Sequence, residues 1–199
     1  MNATLNSNGP EFISLDEAIK MKTGTRVTFI PGIQALYAEA LKNICFAKQI
    51  PLIRVLHPMM GIDKETGEDR QAKLYEATSQ TSLPTMLHND ERPRNVWIEQ
   101  LSLAEQIGSV DSPNLIPDSF ELRLEMFGLC SIILGEDGIV WNARILSDNP
   151  LARKYGYSKQ ASASALAKIV EVINLINARL EAQEKIGSTY LVGNSLTAA

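Results

Sequence analysis

Cysteine is scarce. The chain has two in 199 residues, Cys45 and Cys130, far apart and each inside an apolar stretch. They form neither a disulfide framework nor a C-x-x-C redox pair, and they read as buried thiols of a reducing compartment. Histidine is as scarce. His57 and His88 have no cysteine nearby, so no metal-ligand spacing exists and no metal is expected. Positive charge is not in excess: 19 Lys and Arg against 23 Asp and Glu leave a net charge of −4, with no large basic run. That argues against nucleic acid as the main partner. No apolar run has the length of a membrane span, and the polar start MNATLNSNG is not a signal peptide, so the cytoplasm is the default location and no membrane partner is expected. Tandem repeats and low-complexity tracts are missing too. What is present is ordinary for a globular protein, 45% hydrophobic and 21% charged, and the length suits one large or two small domains.

Met1 to Glu11 reads as disordered. Ser14-Leu15-Asp16-Glu17 has the form of a capping box, and Gly24 is a stop, so a short helix is expected over Leu15 to Lys22. We read it as a surface helix on a sheet edge, with a role in covering a site as the lesser alternative. Arg26 to Ile30 is apolar and β-branched, a strand broken by Pro31-Gly32. Gln34 to Lys48 follows as a helix, with Leu36, Ala40, Leu41, Ile44 and Ala47 at helical spacing. Leu52 to Leu56 is a second buried strand, which makes a parallel strand–helix–strand unit with a right-handed crossover. His57 to Gly67 is loop, and Asp69 to Ala77 is helical.

The densest chemistry lies in Ser82 to Gly108, SLPTMLHNDERPRNVWIEQLSLAEQIG. Proline lacks an N–H and fixes its own φ, so Pro84 suits the entry of a strand. A cis Leu83–Pro84 bond would turn the chain and leave the Leu83 N–H and C=O facing outward. Such a backbone can take an extended peptide as a further strand. Glu99 falls where a helix begins, with Leu101, Leu103, Ala104 and Ile107 on its core side. Its carboxylate can hold an ammonium, and the open N–H groups of the helix start can hold a carboxylate. A simple helix-start acid is the bland reading of Glu99, and Arg92 and Arg94 read as a solvated turn within reach of a ligand carboxylate. A ligand with a peptide backbone, an ammonium and a carboxylate suits all three features, and glutathione is one.

Leu83-Pro84-Thr85-Met86-Leu87 with Glu99-Gln100 resembles the second half of the thioredoxin-like domain of cytosolic glutathione transferases. There an apolar residue and cis-proline, a hairpin and Glu/Gln-Ser opening a helix recur in that order. Gln100 stands where the family usually has Ser or Thr. Tyr190-Leu191-Val192-Gly193 to Ala199 resembles a segment of the family's helical domain that enters a buried helix through a capping box. Thr197 would be its N-cap, so a further helix is expected beyond Ala199. Gln34 to Ala40, with Pro93-Arg94 and Trp97, is most similar to little-characterised bacterial transferase-like proteins. The resemblance covers Arg26 to Ala199. It implies an α/β thioredoxin-like amino-terminal domain joined to an all-α carboxyl-terminal domain, and a function in binding glutathione as substrate and conjugating it to a small electrophile, in detoxification. It also implies a homodimer. Leu83 and Pro84 would hold the cysteinyl peptide, Glu99 the γ-glutamyl ammonium, and Gln100 with the helix start its carboxylate. In the family a Tyr, Ser or Cys at the first strand-to-helix junction favours the thiolate. Here Ile30-Pro31-Gly32-Ile33-Gln34-Ala35 has no hydroxyl and no thiol, which leaves Tyr37 or Gln34 as the catalytic candidates. A non-catalytic binding or interaction module of the same fold is the rival reading. A thiol–disulfide oxidoreductase is excluded by the lack of a junction cysteine.

We expect a leader over 1–24, the glutathione-binding domain over 25–108, a Ser-, Asp- and Pro-rich linker over 109–117 and the helical domain over 118–199. Asp118 to Glu121 offers an N-cap with an acid three residues on. A long helix starts there, is interrupted at Gly135-Glu136-Asp137-Gly138, resumes through Trp141 and Ile145, and ends at Asn149-Pro150. The resemblance makes Met126, Phe127 and Trp141 candidates for the second-substrate cleft, with core packing the stronger reading of each. Glu136 and Asp137 are carboxylate candidates, with an exposed kink preferred. Ala163 to Glu184 is a helix whose stripe of Leu166, Ile169, Val170, Ile173, Ile176 and Leu180 should form the centre of the helical domain.

Overall fold

All five residues of the strand Thr25–Phe29 are buried, and the first half of the chain is arranged to cover them. The computed structural model describes residues 11–135 and 137–199. The expectations for Met1 to Pro10 and for Glu136 lie outside the described residues. The chain divides into two compact units, the first ending at Ser109 and the second spanning Val110–Ala199.

In the first unit β1 (Phe12–Ile13), β2 (Thr25–Phe29), β3 (Leu52–Leu56) and β4 (Met86–His88) form one sheet in the order β1-β3-β2-β4. β2 lies parallel to β3, with Thr25 opposite Leu52 and Phe29 opposite Leu56, and the crossover is α2 (Leu36–Ala47). β4 runs antiparallel to β2. Successive side chains of a strand point to opposite faces. Val27 and Phe29 meet Ala38, Leu41 and Cys45 of α2, Met86, and Leu103 and Ala104 of the helix Trp97–Ile107. On the other face Val55 and Leu87 pack with Leu15, Ala18 and Leu74, from α1 (Leu15–Lys20) and α3 (Ala72–Thr78). The helix Trp97–Ile107 is α4.

The leader is more than a surface helix. Phe12 and Ile13 pair with Arg54 and Val55 to make the edge strand. α1 opens in the capping box: Ser14 Oγ accepts from the Glu17 N–H at 3.2 Å, and the Glu17 carboxylate accepts from the Ser14 N–H at 2.8 Å. Its far end meets Arg26, which is 2% exposed. The guanidinium donates to the Ala18 carbonyl at 2.8 Å, to that of Met21 and to that of Asn89. The first two are carbonyls that a helix leaves open at its carboxyl end, where the dipole is negative. Burial pulls the Arg26 pKa down, against the opposing pull of Asp90. Carbonyl oxygens therefore do the work a carboxylate partner would do.

The second unit holds α5 (Phe120–Leu134), α6 (Ile139–Asn142), a 3-10 turn (Ala143–Ile145), α7 (Pro150–Lys154) and α8 (Lys159–Lys185). With the strands and helices of the first unit, these make an α/β unit followed by an all-α one. Several local expectations change. α5 is capped at Ser119, not Asp118, and without a side-chain bond. It does not resume as one helix, and after the break the chain passes so close to α5 that a Cβ at Gly138 would lie 2.6 Å from the Ile132 and Ile133 carbonyls. Asp137 is left-handed at φ 67° in this kink. Asn149 opens a new helix, accepting from the Ala152 N–H at 2.9 Å with Pro150 in its first turn. α8 starts at Lys159 instead of Ala163, since Ser158 Oγ accepts from the Ala161 N–H at 3.0 Å.

The apolar stripe of α8 also splits. Its buried line is Ala165, Ile169, Val172 and Gln183, while Leu166, Val170, Ile173 and Leu180 are exposed. By length and composition alone this 27-residue helix is long and apolar enough to cross a membrane, where the sequence suggested no such run. The segment 109–117 is packed: Leu115 and Ser112 are buried, and the Leu115 carbonyl accepts from the Ala198 N–H at 2.9 Å. The Leu191 carbonyl accepts from Arg179 Nε at 2.9 Å and Gln183 Nε2 at 3.2 Å. Thr197 Oγ accepts from the Ala199 N–H at 3.4 Å.

Arg26→Met removes three donors and leaves buried carbonyls open. We expect urea unfolding to show a loss of about 2–3 kcal/mol, with faster amide exchange across residues 15–20. Unchanged stability and exchange would show that the leader is held without this clasp.

Candidate functional site

The Thr28 N–H donates to the Thr85 carbonyl at 3.0 Å, and the Thr85 N–H donates to Thr28 Oγ at 2.8 Å. β2 therefore leaves the sheet where β4 enters it. The junction 30–35 and Leu83-Pro84 consequently share one end of the sheet. The Leu83–Pro84 bond is cis. Pro84 is buried and Leu83 half-buried. Among the described residues neither the N–H nor the carbonyl of Leu83 meets a hydrogen-bond partner. Gln80 braces this loop from outside the stretch singled out in the sequence. Its Nε2 donates to Asn95 Oδ1 at 2.9 Å and its Oε1 accepts from the Ser82 N–H. A Gln four residues before a cis-proline has no pattern that would have marked it.

α4 starts at the same end. Val96 caps it without a side-chain bond, and Glu99 is its third residue. Gln100 follows and is 3% exposed. Its amide nitrogen donates to the Pro84 carbonyl at 3.1 Å and to the Arg94 carbonyl at 3.0 Å. A carboxamide has two N–H bonds, and both are used. Its backbone N–H is used as well, on the Val96 carbonyl at 3.1 Å. Gln100 thus ties the helix start to the cis-proline and to the hairpin, and has no donor left for a ligand carboxylate.

Glu99 is paired. Arg92 Nη2 lies 2.7 Å from Oε1 and Nη1 3.3 Å from Oε2, a two-pronged contact. The Arg92 hydrogen bond, ahead of its charge and that of Arg94, lowers the Glu99 pKa. The pair is open to water, with the Arg92 side chain 65% exposed, so it adds little to stability. A groove of about 270 Å³ borders it, lined by Arg92, Arg94, Ile98, Glu99, Ser102 and Gln106 among others.

The other candidates divide. Gln34 is exposed, two residues before α2, and Tyr37 is the second residue of α2, half-buried and engaged with other groups. Both stand beyond β2 at the sheet end that carries Leu83. Met126 is fully buried, so it packs and cannot line an open cleft. Phe127 and Trp141 are half-buried. Trp141 meets Tyr155 edge-on at 5.9 Å, with the Arg144 guanidinium 4.9 Å from the one ring and 4.5 Å from the other.

No family model matches the sequence, and no curated protein does. Solved structures do match. A glutathione S-transferase from Methylobacillus flagellatus with glutathione bound is 11% identical, with a TM-score of 0.62 over 87% of this chain and 76% of that one. A glutathione transferase homologue from Sulfitobacter with bound glutathione is 14% identical, at 0.58 over 89% and 77%. A diazinon-metabolizing glutathione S-transferase of the silkworm Bombyx mori is 13% identical, at 0.59 over 88% and 74%. The thioredoxin-like unit followed by a helical unit is the fold these proteins share.

Gln100→Leu keeps the bulk but strands the Pro84 and Arg94 carbonyls. We expect about 1–3 kcal/mol less stability in urea; no loss would deny the amide its structural part. Burial pushes the Cys45 thiol up to about 12 and the Cys130 thiol up to about 11. The thiolate is the reactive form, so neither should react with an aromatic disulfide reagent at pH 8 until the protein is unfolded. Fast reaction in the native protein would contradict that burial.

Proposed function

We propose that this chain, which has the fold of glutathione transferases, binds glutathione at the end of the sheet where β2 and β4 meet, and conjugates it to a small electrophile. One observation supports the reading above others: the Leu83 backbone, without a hydrogen-bond partner among the described residues, precedes a cis-proline whose carbonyl Gln100 ties to the helix start that carries Glu99. The Leu83 N–H and C=O take the cysteinyl peptide as an added strand. Glu99 takes the γ-glutamyl ammonium, and the first turn of α4 offers positive potential to the γ-glutamyl carboxylate. Gln100 acts by holding these parts in place. Two of the solved relatives contain bound glutathione, which favours the same ligand here.

Conjugation requires the thiol to lose its proton and its sulfur to attack carbon. Tyr37 and Gln34 are the donors nearest the expected position of the sulfur along the chain, and the start of α2 adds positive potential. Phe127 and Trp141 are the second unit's candidates for contact with the electrophile. A homodimer in the cytoplasm, acting in detoxification, completes the reading. A second reading, a binding module without catalysis, is favoured by one observation: the junction 30–35 has no hydroxyl and no thiol.

Calorimetric titration of glutathione separates the readings, with Glu99→Ala as control. Millimolar or tighter binding that the variant loses, together with conjugation that falls in Tyr37→Phe or Gln34→Ala, is the expected result. Binding without conjugation selects the module. No heat at millimolar glutathione, in a folded protein, would sink the glutathione site.

A further inference from the structure

We infer that Arg92 is the carboxylate-binding residue of the site, and that the Arg92–Glu99 ion pair is a receptor for an α-amino-acid zwitterion that opens on binding. The inference rests on the glutathione reading and assigns the γ-glutamyl end of that ligand.

A free amino-acid head carries an ammonium and a carboxylate on one carbon. A site for it needs an acceptor of negative charge beside a donor of positive charge. Glu99 supplies the first. The resemblance assigned the second to Gln100, but both amide hydrogens of that side chain are held by the Pro84 and Arg94 carbonyls. Arg94 is engaged as well. Its Nη2 bonds the Glu91 carboxylate at 2.6 Å, its Nη1 bonds the Arg92 carbonyl at 3.3 Å, and its side chain is 17% exposed. Arg92 differs on each count. Among the described residues its guanidinium bonds only Glu99, and its side chain is 65% exposed. A guanidinium carries five N–H donors in a planar fork that matches a carboxylate. With two of them on Glu99, the rest are open to a ligand.

The exchange keeps charge balanced. In the free protein Glu99 neutralises Arg92. When the zwitterion enters, its ammonium takes Glu99 and its carboxylate takes Arg92, so two ion pairs replace one and neither protein charge is left alone. The groove along α4 that Arg92, Glu99, Ile98, Ser102 and Gln106 border gives the head group room. Arg94 sets the turn through the Arg92 carbonyl, which keeps the guanidinium within reach. An amine without the carboxylate would have to compete with Arg92 for Glu99 and offer it nothing in return. The pair therefore selects whole amino-acid heads over simple amines.

The test is calorimetric titration with two ligands, glutathione and the analogue in which 4-aminobutanoyl replaces γ-glutamyl, which keeps the amine and lacks the carboxylate. The wild-type protein should bind the analogue roughly tenfold more weakly than glutathione. Arg92→Met should lose about the same factor for glutathione and nothing for the analogue, and Arg92→Lys should recover part of the loss. Thermal unfolding of both variants should match the wild type, since the residue is exposed. Glutathione binding by Arg92→Met that equals or exceeds the wild type would overturn the assignment and leave Arg92 a competitor for Glu99. An equal loss for both ligands would overturn it too. Failure of the wild type itself to bind glutathione would overturn the parent reading together with this one.

Discussion

The burial of β2 on both faces is the constraint from which the first unit follows. A strand covered twice needs apolar partners on each side, and its polar side chains must be satisfied inside. α2 and α4 close one face through Leu41, Cys45, Leu103 and Ala104. The opposite face receives Arg26 and Thr28, which are polar. Thr28 is met by the Thr85 N–H. Arg26 is met by the end of α1 and by the Asn89 turn. The leader is thus tied to the sheet by a charge in β2, and the same charge holds the hairpin that precedes α4. Leader helix and hairpin share one arginine.

The site end obeys the same accounting. The Pro84 carbonyl has no strand partner of its own, and the Arg94 carbonyl already accepts from the Met86 N–H. Gln100 reaches both. This explains why a long amide can stand where the transferases usually carry a short hydroxyl: it is spent on the scaffold. On the glutathione reading proposed above, carboxylate recognition would then fall to another group, and Arg92, exposed and with donors to spare, is the one we infer. A residue that looks like a lost contact in the sequence has a structural duty in the fold.

Features set by a few adjacent residues were legible in the sequence. Ser14 and Glu17 announce a capping box because both bonds close within three residues. Leu52 to Leu56 matches β3 at both ends because its pattern is apolar between breakers. The order strand, helix, strand showed a parallel unit, and the resemblance carried by Leu83-Pro84 and Glu99-Gln100 implied the thioredoxin-like unit and the helical unit together. Features decided by distant partners were not legible. The α5 cap moved to Ser119, and no side-chain bond marks it. The clasp of Arg26 on Ala18 and Asn89 spans 8 and 63 residues, and nothing in a run of TRVTF shows it. Gln80 and Gln100 were invisible as scaffold for a like reason: Gln100 bonds the Pro84 and Arg94 carbonyls, a group that every residue has, and the partners of Gln80, Asn95 among them, form no sequence pattern with it.

The stripe of α8 shows how far periodicity carries. Positions 166, 170, 173 and 180 repeat at helical spacing as cleanly as 165, 169 and 172 do, so spacing alone predicts one broad apolar face. Packing divides it. Small Ala165, then Ile169 and Val172, form the line that is buried, and α6 packs against this helix, while Leu166 is 55% exposed. A helix needs an apolar arc of about 100° to join a core. α8 carries more than that. The size of the side chains does not choose which arc is buried, since the larger Leu166 is out and Ala165 is in. The neighbours choose: α6, which begins just after the Gly138 kink, and the 3-10 turn that follows it pack against α8. The same kink that ends α5 early thus sets where α6, a neighbour of α8, begins.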